Sequence, residues 1–181
     1  MEKLHLGCGK RLLHGWKHVD IVEYPHIDYL QSIDKLDNFP DGSVESLYAC
    51  HCLEHFKRHE IQNVLNEWSR VLKKDGEIYI SVPDFEAITA EYHSNGNKLE
   101  PILGLLYGGQ DNEYNIHYHT FDFQFIKKLL INAGFYSIAR YDWREFLPDG
   151  FDDFSRAYLP HMDVGNGRLM SLNISAVKGG D

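Results

Sequence analysis

The chain has 181 residues, of which 43% are hydrophobic and 25% are charged, so it is long enough for one globular core and too apolar to be disordered. Its formal net charge is −9, and its lysines and arginines form no cluster longer than a pair, which argues against a nucleic-acid partner. No apolar run approaches the roughly 20 residues that cross a bilayer, and a low, odd number of cysteines is typical of the reducing cytoplasm. We therefore predict a single cytoplasmic domain over residues 1–181, with neither a membrane nor a nucleic acid among its partners.

The strand-like and helix-like runs of this chain alternate, which predicts a mostly parallel sheet with helices on both faces. Strand-like runs occupy residues 3–6, 17–21, 46–50, 77–82, 135–142 and 170–177. Residues 60–72 and 122–133 have the apolar spacing of amphipathic helices, and Asp122 is placed to cap the second one. Because no helix-like run separates the last two strands, we expect them to be antiparallel.

A glycine turn follows the first strand, and an acid ends the second strand. The turn is Gly7-Cys8-Gly9, and the acid is Asp20. Glycine permits positive φ angles and lets a ligand approach the main chain closely. An acid at the end of the next strand can accept hydrogen bonds from the hydroxyls of a ribose. Together these features predict a nucleoside-containing cofactor at the carboxyl ends of parallel strands. The short link between the two strands leaves room only for turns in place of the first helix.

Several motifs occur in an order that is typical of one enzyme family. They are LHLGCG at residues 4–9, VDI at 19–21, HCLEHF at 51–56, SVPD at 81–84 and HTF at 119–121. In this ordered set the chain resembles small Rossmann-like (class I) methyltransferases that depend on S-adenosylmethionine (SAM). The resemblance implies an α/β fold whose seven-stranded sheet has an antiparallel last strand. It also implies SAM as the cofactor and methyl transfer as the reaction.

The same resemblance implies a cofactor site at the ends of the first four strands. The glycine turn would lie against the methionine part of SAM, Asp20 would bind the ribose, and the segment around Ser32 would face the adenine. The implied cofactor-binding residues are Leu6, Gly7, Cys8, Gly9, Asp20, Ile21, Ser32, Ile33 and His51. The chain departs from the family pattern at His5, where an acid or Asn is usual, and at Arg11, where a glycine is common.

The sequence indicates the acceptor-binding half of the site less clearly than the cofactor-binding half. Residues 96–120 are too long for a simple connection, and we predict that they form a lid. His51 and Asp84 follow strands at the predicted cleft, and His119 follows the lid. These three residues are the candidates for positioning the acceptor or accepting its proton. Asp84 has a structural alternative as the N-cap of a helix.

Three functions are compatible with these patterns. The first is a methyltransferase that acts on a small-molecule acceptor, such as a sugar or metabolite hydroxyl. The second is a non-catalytic module or subunit that holds SAM or S-adenosylhomocysteine (SAH). The third is a dinucleotide or nucleotide-sugar enzyme, although the dinucleotide fingerprint would need a glycine at Leu12. The sequence lacks paired Cys/His sets with zinc spacing, so we predict no metal, and it does not indicate an oligomeric state.

Overall fold

The computed structural model describes residues 2–180, so the terminal residues 1 and 181 of the predicted domain lie outside the described residues. The strands are β1 (Glu2–Leu6), β2 (Lys17–Asp20), β3 (Tyr29–Leu30), β4 (Val44–Cys50), β5 (Leu72–Pro83), β6 (Phe135–Arg140), β7 (Tyr158–Leu159), β8 (Arg168–Leu169) and β9 (Ser171–Lys178). The helices are α1 (Ile61–Val71), α2 (Phe85–Ser94), α3 (Leu103–Tyr107), α4 (Phe123–Asn132) and α5 (Trp143–Phe146). Short 3₁₀ turns occur at Leu53–His55, Glu100–Ile102 and Phe154–Arg156.

Seven strands form one sheet in the order β3-β2-β1-β4-β5-β9-β6, and β7 pairs with β8 in a separate hairpin. Strands β1 to β5 are parallel to one another, whereas β9 is antiparallel to both β5 and β6. This confirms the predicted mostly parallel sheet with an antiparallel last strand. The strand order reverses between β1 and β4, and in open α/β sheets ligands bind beyond the carboxyl ends of the strands at such a point.

The helix predictions hold to within two residues at their ends. The buried face of α1 includes Trp68, which is fully inaccessible to solvent. This helix ends at Val71, where the chain passes directly into β5, and within that strand Asp75 has a φ of +58°. The side chain of Asp122 accepts a hydrogen bond of 2.7 Å from the Phe125 N–H, which confirms it as the N-cap of α4.

Some short elements were not predicted from the sequence. Strands β3, β7 and β8 have two residues each, which is too short for a period-two pattern to be recognised. Between β1 and β2, residues 7–16 contain only turns and irregular chain, as expected from the short link. Within residues 2–180, no helix combines the length and apolar character needed to cross a membrane.

Candidate active site

The glycine turn after β1 is closed by hydrogen bonds to β2. The Gly7 N–H donates to the Val19 carbonyl oxygen at 2.8 Å. The two carboxylate oxygens of Asp20 accept hydrogen bonds from the N–H groups of Gly9 and Val22, both at 2.8 Å. Asp20 is only 6% exposed, and each of its oxygens retains a lone pair, because a carboxylate has about four acceptor positions. Asp20 therefore holds the turn and can still bind a ligand.

The two glycines of this turn differ in what surrounds them, and we expect different effects on stability. Both have left-handed φ angles, +58° at Gly7 and +55° at Gly9, so a Cβ costs each about 1–2 kcal/mol. At Gly7 the Cβ would also lie 2.5 Å from the Cys52 Sγ, whereas at Gly9 it would meet no heavy atom within 4 Å. We therefore expect Gly7→Ala to lower the free energy of unfolding by a further ~1–3 kcal/mol relative to Gly9→Ala. Urea unfolding of both variants checks this, and equal losses would contradict it.

A pocket of about 380 Å³ opens beyond the carboxyl ends of β1, β2 and β4, and we call it the strand-end pocket. Its lining contains six of the residues predicted to bind cofactor, namely Gly7, Asp20, Ile21, Ser32, Ile33 and His51. The lining is completed by Val22, Cys52, His55, Phe56, Glu113 and Tyr114. The other three predicted residues are not part of this lining. Leu6 is buried in the core, Cys8 is buried with its Sγ 3.9 Å from the His26 Nε2, and the Gly9 N–H binds Asp20.

Helix α1 holds the segment that carries Ser32 and Ile33 against the sheet. The indole N–H of Trp68 donates to the Ile33 carbonyl oxygen at 2.8 Å. Two residues further along the helix, the Arg70 guanidinium donates to the carbonyl oxygen of Phe39 at 3.0 Å. Because these bonds end on main-chain oxygens, they fix the position of the segment whatever its side chains are. The core face of α1 thus also shapes one wall of the strand-end pocket.

A second pocket, of about 470 Å³, lies next to the first, and we call it the lid-side pocket. One wall comes from residues 101–117, within the predicted lid, and another comes from residues 152–170. Arg11 joins the second wall to the glycine turn, since its Nε donates to the Asp152 carbonyl oxygen at 2.9 Å. His51 and His55 line both pockets. The two pockets therefore meet at these two histidines.

His51 is held rigidly at this junction. It has a φ of +51°, and its Nε2 lies 2.8 Å from the Ser171 Oγ. That serine donates its own proton to the Phe154 carbonyl oxygen, so its Oγ accepts from the His51 Nε2–H. The His51 Nδ1 lies 3.2 Å from the Oε1 of Glu54, which is fully buried.

The carboxylate of Glu54 is surrounded by imidazoles. Burial by itself favours the neutral acid, but His51, His55 and His117 outweigh it and keep the pKa of Glu54 below its usual value. Burial lowers the pKa of His117, and the nearby Glu54 offsets this only in part. His117 is therefore neutral at pH 7, with a lone pair on one ring nitrogen.

Two of the three candidate catalytic side chains lie outside both pocket linings. The His119 ring stacks on Phe121 with centroids 4.9 Å apart, and its Nδ1 is 3.1 Å from the Thr120 carbonyl oxygen. Asp84 caps α2 by accepting a 3.0 Å bond from the Glu86 N–H, and its other oxygen lies 3.0 Å from Arg140. These contacts account for both side chains structurally, and the function proposed below uses neither of them.

Glu54 and His117 are not among the site residues predicted from the sequence. The HCLEHF motif contained a signal for Glu54, because residues 51, 54 and 55 lie within five positions of one another. The structure is needed to see that this acid is buried beneath the junction. His117 is 63 residues further along the chain than Glu54, and only the path of the lid brings its Nε2 to 4.0 Å from the Glu54 Oε1.

Comparisons with known proteins agree with this fold. A family model described as a methyltransferase domain matches residues 4–80, the part that contains the glycine turn, Asp20 and His51. A SAM-dependent methyltransferase from Thermotoga maritima has a TM-score of 0.60 at 14% identity, with 98% of this chain and 82% of that chain covered. No curated protein sequence matches this chain.

Two further solved structures have the same fold. The 1,6-didemethyltoxoflavin-N1-methyltransferase of Burkholderia thailandensis, solved with 1,6-didemethyltoxoflavin and SAH bound, has a TM-score of 0.59 at 19% identity over 98% of this chain and 71% of that chain. A SAM-dependent methyltransferase from Archaeoglobus fulgidus has a TM-score of 0.57 at 15% identity over 98% of this chain and 86% of that chain. At these identities the likeness shows the fold. The chain has the fold of SAM-dependent methyltransferases, and its residues 4–80 match the methyltransferase-domain model, which together support an enzyme with SAM as its cofactor.

Proposed function

We propose that this enzyme methylates a small molecule bound in the lid-side pocket, with a hydroxyl of a sugar or another metabolite as the acceptor. The observation that carries the proposal is that His51 and His55 line both pockets. A cofactor in one pocket and an acceptor in the other would therefore meet at these side chains. The lid-side pocket, at about 470 Å³, is within the usual size of a small-molecule site, about 300–1,000 Å³. Because the chain is acidic, it would repel a nucleic acid, which makes nucleic acid an unsuitable acceptor.

The residues of the strand-end pocket fit the proposed cofactor. Asp20 keeps free lone pairs for the ribose hydroxyls after binding the turn. Gly7 has no side chain, so its main chain lies open to the pocket. Ser32 and Ile33 form the wall that would receive the adenine, and Glu113 adds a second acid that suits a cationic cofactor. These roles follow from position in the pocket.

The protein's main tasks in this reaction are alignment and exclusion of water. When bound, SAM supplies a methyl group on a sulfonium; as the acceptor oxygen bonds to the methyl carbon, the S–C bond breaks and its electron pair stays on sulfur. The hydroxyl proton must also leave, and it passes to a base or to water at the junction of the two pockets. We propose that residues 96–120 act as the lid of the single domain, because they contribute to both pocket walls.

A turnover assay tests the choice of acceptor class. The protein is incubated with methyl-labelled SAM and, separately, with a panel of sugars and nucleotide sugars, with a protein extract, and with RNA. We expect SAH to form and the label to appear in a small-molecule product. Label that enters only protein or RNA, or no turnover in any mixture, would contradict the small-molecule proposal. Cytoplasmic location remains a prediction from the cysteine count.

A bulky side chain in the lid-side pocket is expected to weaken acceptor binding and to leave cofactor binding unchanged. Ala157 lines this pocket and not the strand-end pocket, and its main chain bonds to Phe154 and Met170. We expect Ala157→Phe to raise the KM for the acceptor found in the panel by about tenfold or more, as for a loss of about 1.4 kcal/mol, with the SAH dissociation constant unchanged. Steady-state kinetics and calorimetry check the two parts. Unchanged KM would place the acceptor elsewhere.

A further inference from the structure

Three side chains beneath the junction of the two pockets form a cluster that the methyl-transfer proposal does not explain. They are Glu54 and His55, on the turn after β4, and His117 in the lid. One ligand atom from each lies within 4.8 Å of the ligand atoms of the other two. The cluster joins two segments that are far apart in sequence, so no short sequence motif predicts it.

The Glu54 carboxylate is the unusual member of this cluster. Glu54 is completely buried, and neither of its oxygens has a hydrogen-bond partner among residues 2–180. The contact with the His51 Nδ1, at 3.2 Å, lacks hydrogen-bond geometry. A buried carboxylate oxygen without a hydrogen bond is unfavourable even where neighbouring imidazoles favour its charge. A positive charge close to these oxygens would remove that cost.

The two histidines of the cluster are oriented as metal ligands usually are. The His55 Nδ1 is 3.0 Å from the Ile116 carbonyl oxygen, and the His117 Nδ1 is 3.0 Å from the Leu105 carbonyl oxygen. A carbonyl oxygen only accepts, so in each ring Nδ1 carries the proton and Nε2 keeps the lone pair. Metal-binding histidines typically donate their other ring N–H to a carbonyl or carboxylate in this way.

We propose that Glu54, His55 and His117 bind one divalent transition-metal cation, such as Zn²⁺, at the junction of the two pockets. Two imidazoles and one carboxylate are a ligand set that such cations prefer. Ligand atoms on one Zn²⁺ at about 2.0–2.2 Å lie roughly 3–3.5 Å apart. The 4.0 Å between the His117 Nε2 and the Glu54 Oε1 would therefore contract slightly on binding.

The cation would leave coordination positions open toward the lid-side pocket, because His55 and His117 both line it. Three protein ligands with an open position are the arrangement of reactive metal sites. This part rests on the function proposed above: the acceptor would then be a compound whose hydroxyl oxygen can bind the cation. Binding to a divalent cation lowers the pKa of a hydroxyl and helps its proton to leave.

Cation binding can be measured without any turnover. The protein is freed of metal with a chelator and titrated with Co²⁺ and with Zn²⁺, following Co²⁺ by its visible absorption and Zn²⁺ by calorimetry. We expect one cation per chain, with Glu54→Gln and His117→Ala each weakening the affinity by at least about 10–100-fold. The control is His59→Ala, because that side chain is 78% exposed on the turn before α1, and it should bind as the parent does.

The same samples are titrated with SAH, so that a failure of the metal site can be distinguished from a failure of the cofactor site. SAH binding in Glu54→Gln shows that the variant is folded; if this variant does not fold, His117→Ala carries the test, because its side chain lies in the lid. If the parent binds no stoichiometric cation, or if Glu54→Gln binds it equally well, the metal site is overturned. The cluster would then be the Glu54 carboxylate paired with protonated histidines. Failure of SAH to bind in the parent would contradict the cofactor pocket and leave the cation result unaffected.

Discussion

Replacing Asp20 with alanine is expected to weaken SAH binding by about 1–3 kcal/mol, which is roughly 5–150-fold in the dissociation constant. Asp20 is nearly buried in the strand-end pocket, and the variant loses its proposed hydrogen bonds to the ribose. In the parent protein the carboxylate also accepts hydrogen bonds of 2.8 Å from the N–H groups of Gly9 and Val22, and the variant loses both of them. Calorimetric titration with SAH measures the effect.

The matched control for this prediction is Asp37→Ala. Asp37 is exposed in a turn between β3 and β4 and is not part of the strand-end pocket, so the change removes equal charge without touching the site. Thermal unfolding of both variants shows whether weaker SAH binding comes from a destabilised glycine turn or from the lost contact with the ligand. Parental affinity in Asp20→Ala would show that the ribose is held elsewhere and would contradict the proposed pocket.

Acid is expected to destabilise this protein through His5, the residue that replaces the acid or Asn usual in the family. Its ring is 1% exposed and stacks on Tyr48 with centroids 5.1 Å apart. Burial, with a smaller effect of His18, lowers the pKa of His5 to about 3 from 6.5. Between these two pH values the unfolded chain binds the extra proton, so the free energy of unfolding decreases as the pH falls, by up to ~1.4 kcal/mol per pH unit.

The variant His5→Phe keeps a ring against Tyr48 but cannot take up a proton. We expect the loss of stability between pH 6 and pH 4, measured by urea unfolding, to be smaller in this variant by about 2–3 kcal/mol. The exposed His14→Gln serves as the control and should follow the parent. Other titrating groups contribute to both curves, so the difference between them isolates His5. Parallel curves for the parent and His5→Phe would contradict the prediction.

Local sequence patterns were sufficient for most of the sheet because each strand and helix is specified by neighbouring residues. The apolar period of α1 and the capping side chain of Asp122 depend on contacts within a few residues. The antiparallel last strand was also predictable, since a chain that lacks a crossover helix cannot easily return in parallel. The two-residue strands were not predictable, because their pairing depends on partners that are distant in sequence.

The sequence by itself determined the fold class, the family resemblance and the residues predicted to bind the cofactor, because the glycine turn and Asp20 lie close together in the chain. Only the tertiary structure decided which side chains meet at the junction of the two pockets. His117 and His119 are two residues apart in a loop that has no regular period, yet one faces Glu54 and the other packs on Phe121. Burial of Glu54 beneath two pocket walls likewise depends on segments about 60 and 100 residues further along, whose packing no local pattern encodes.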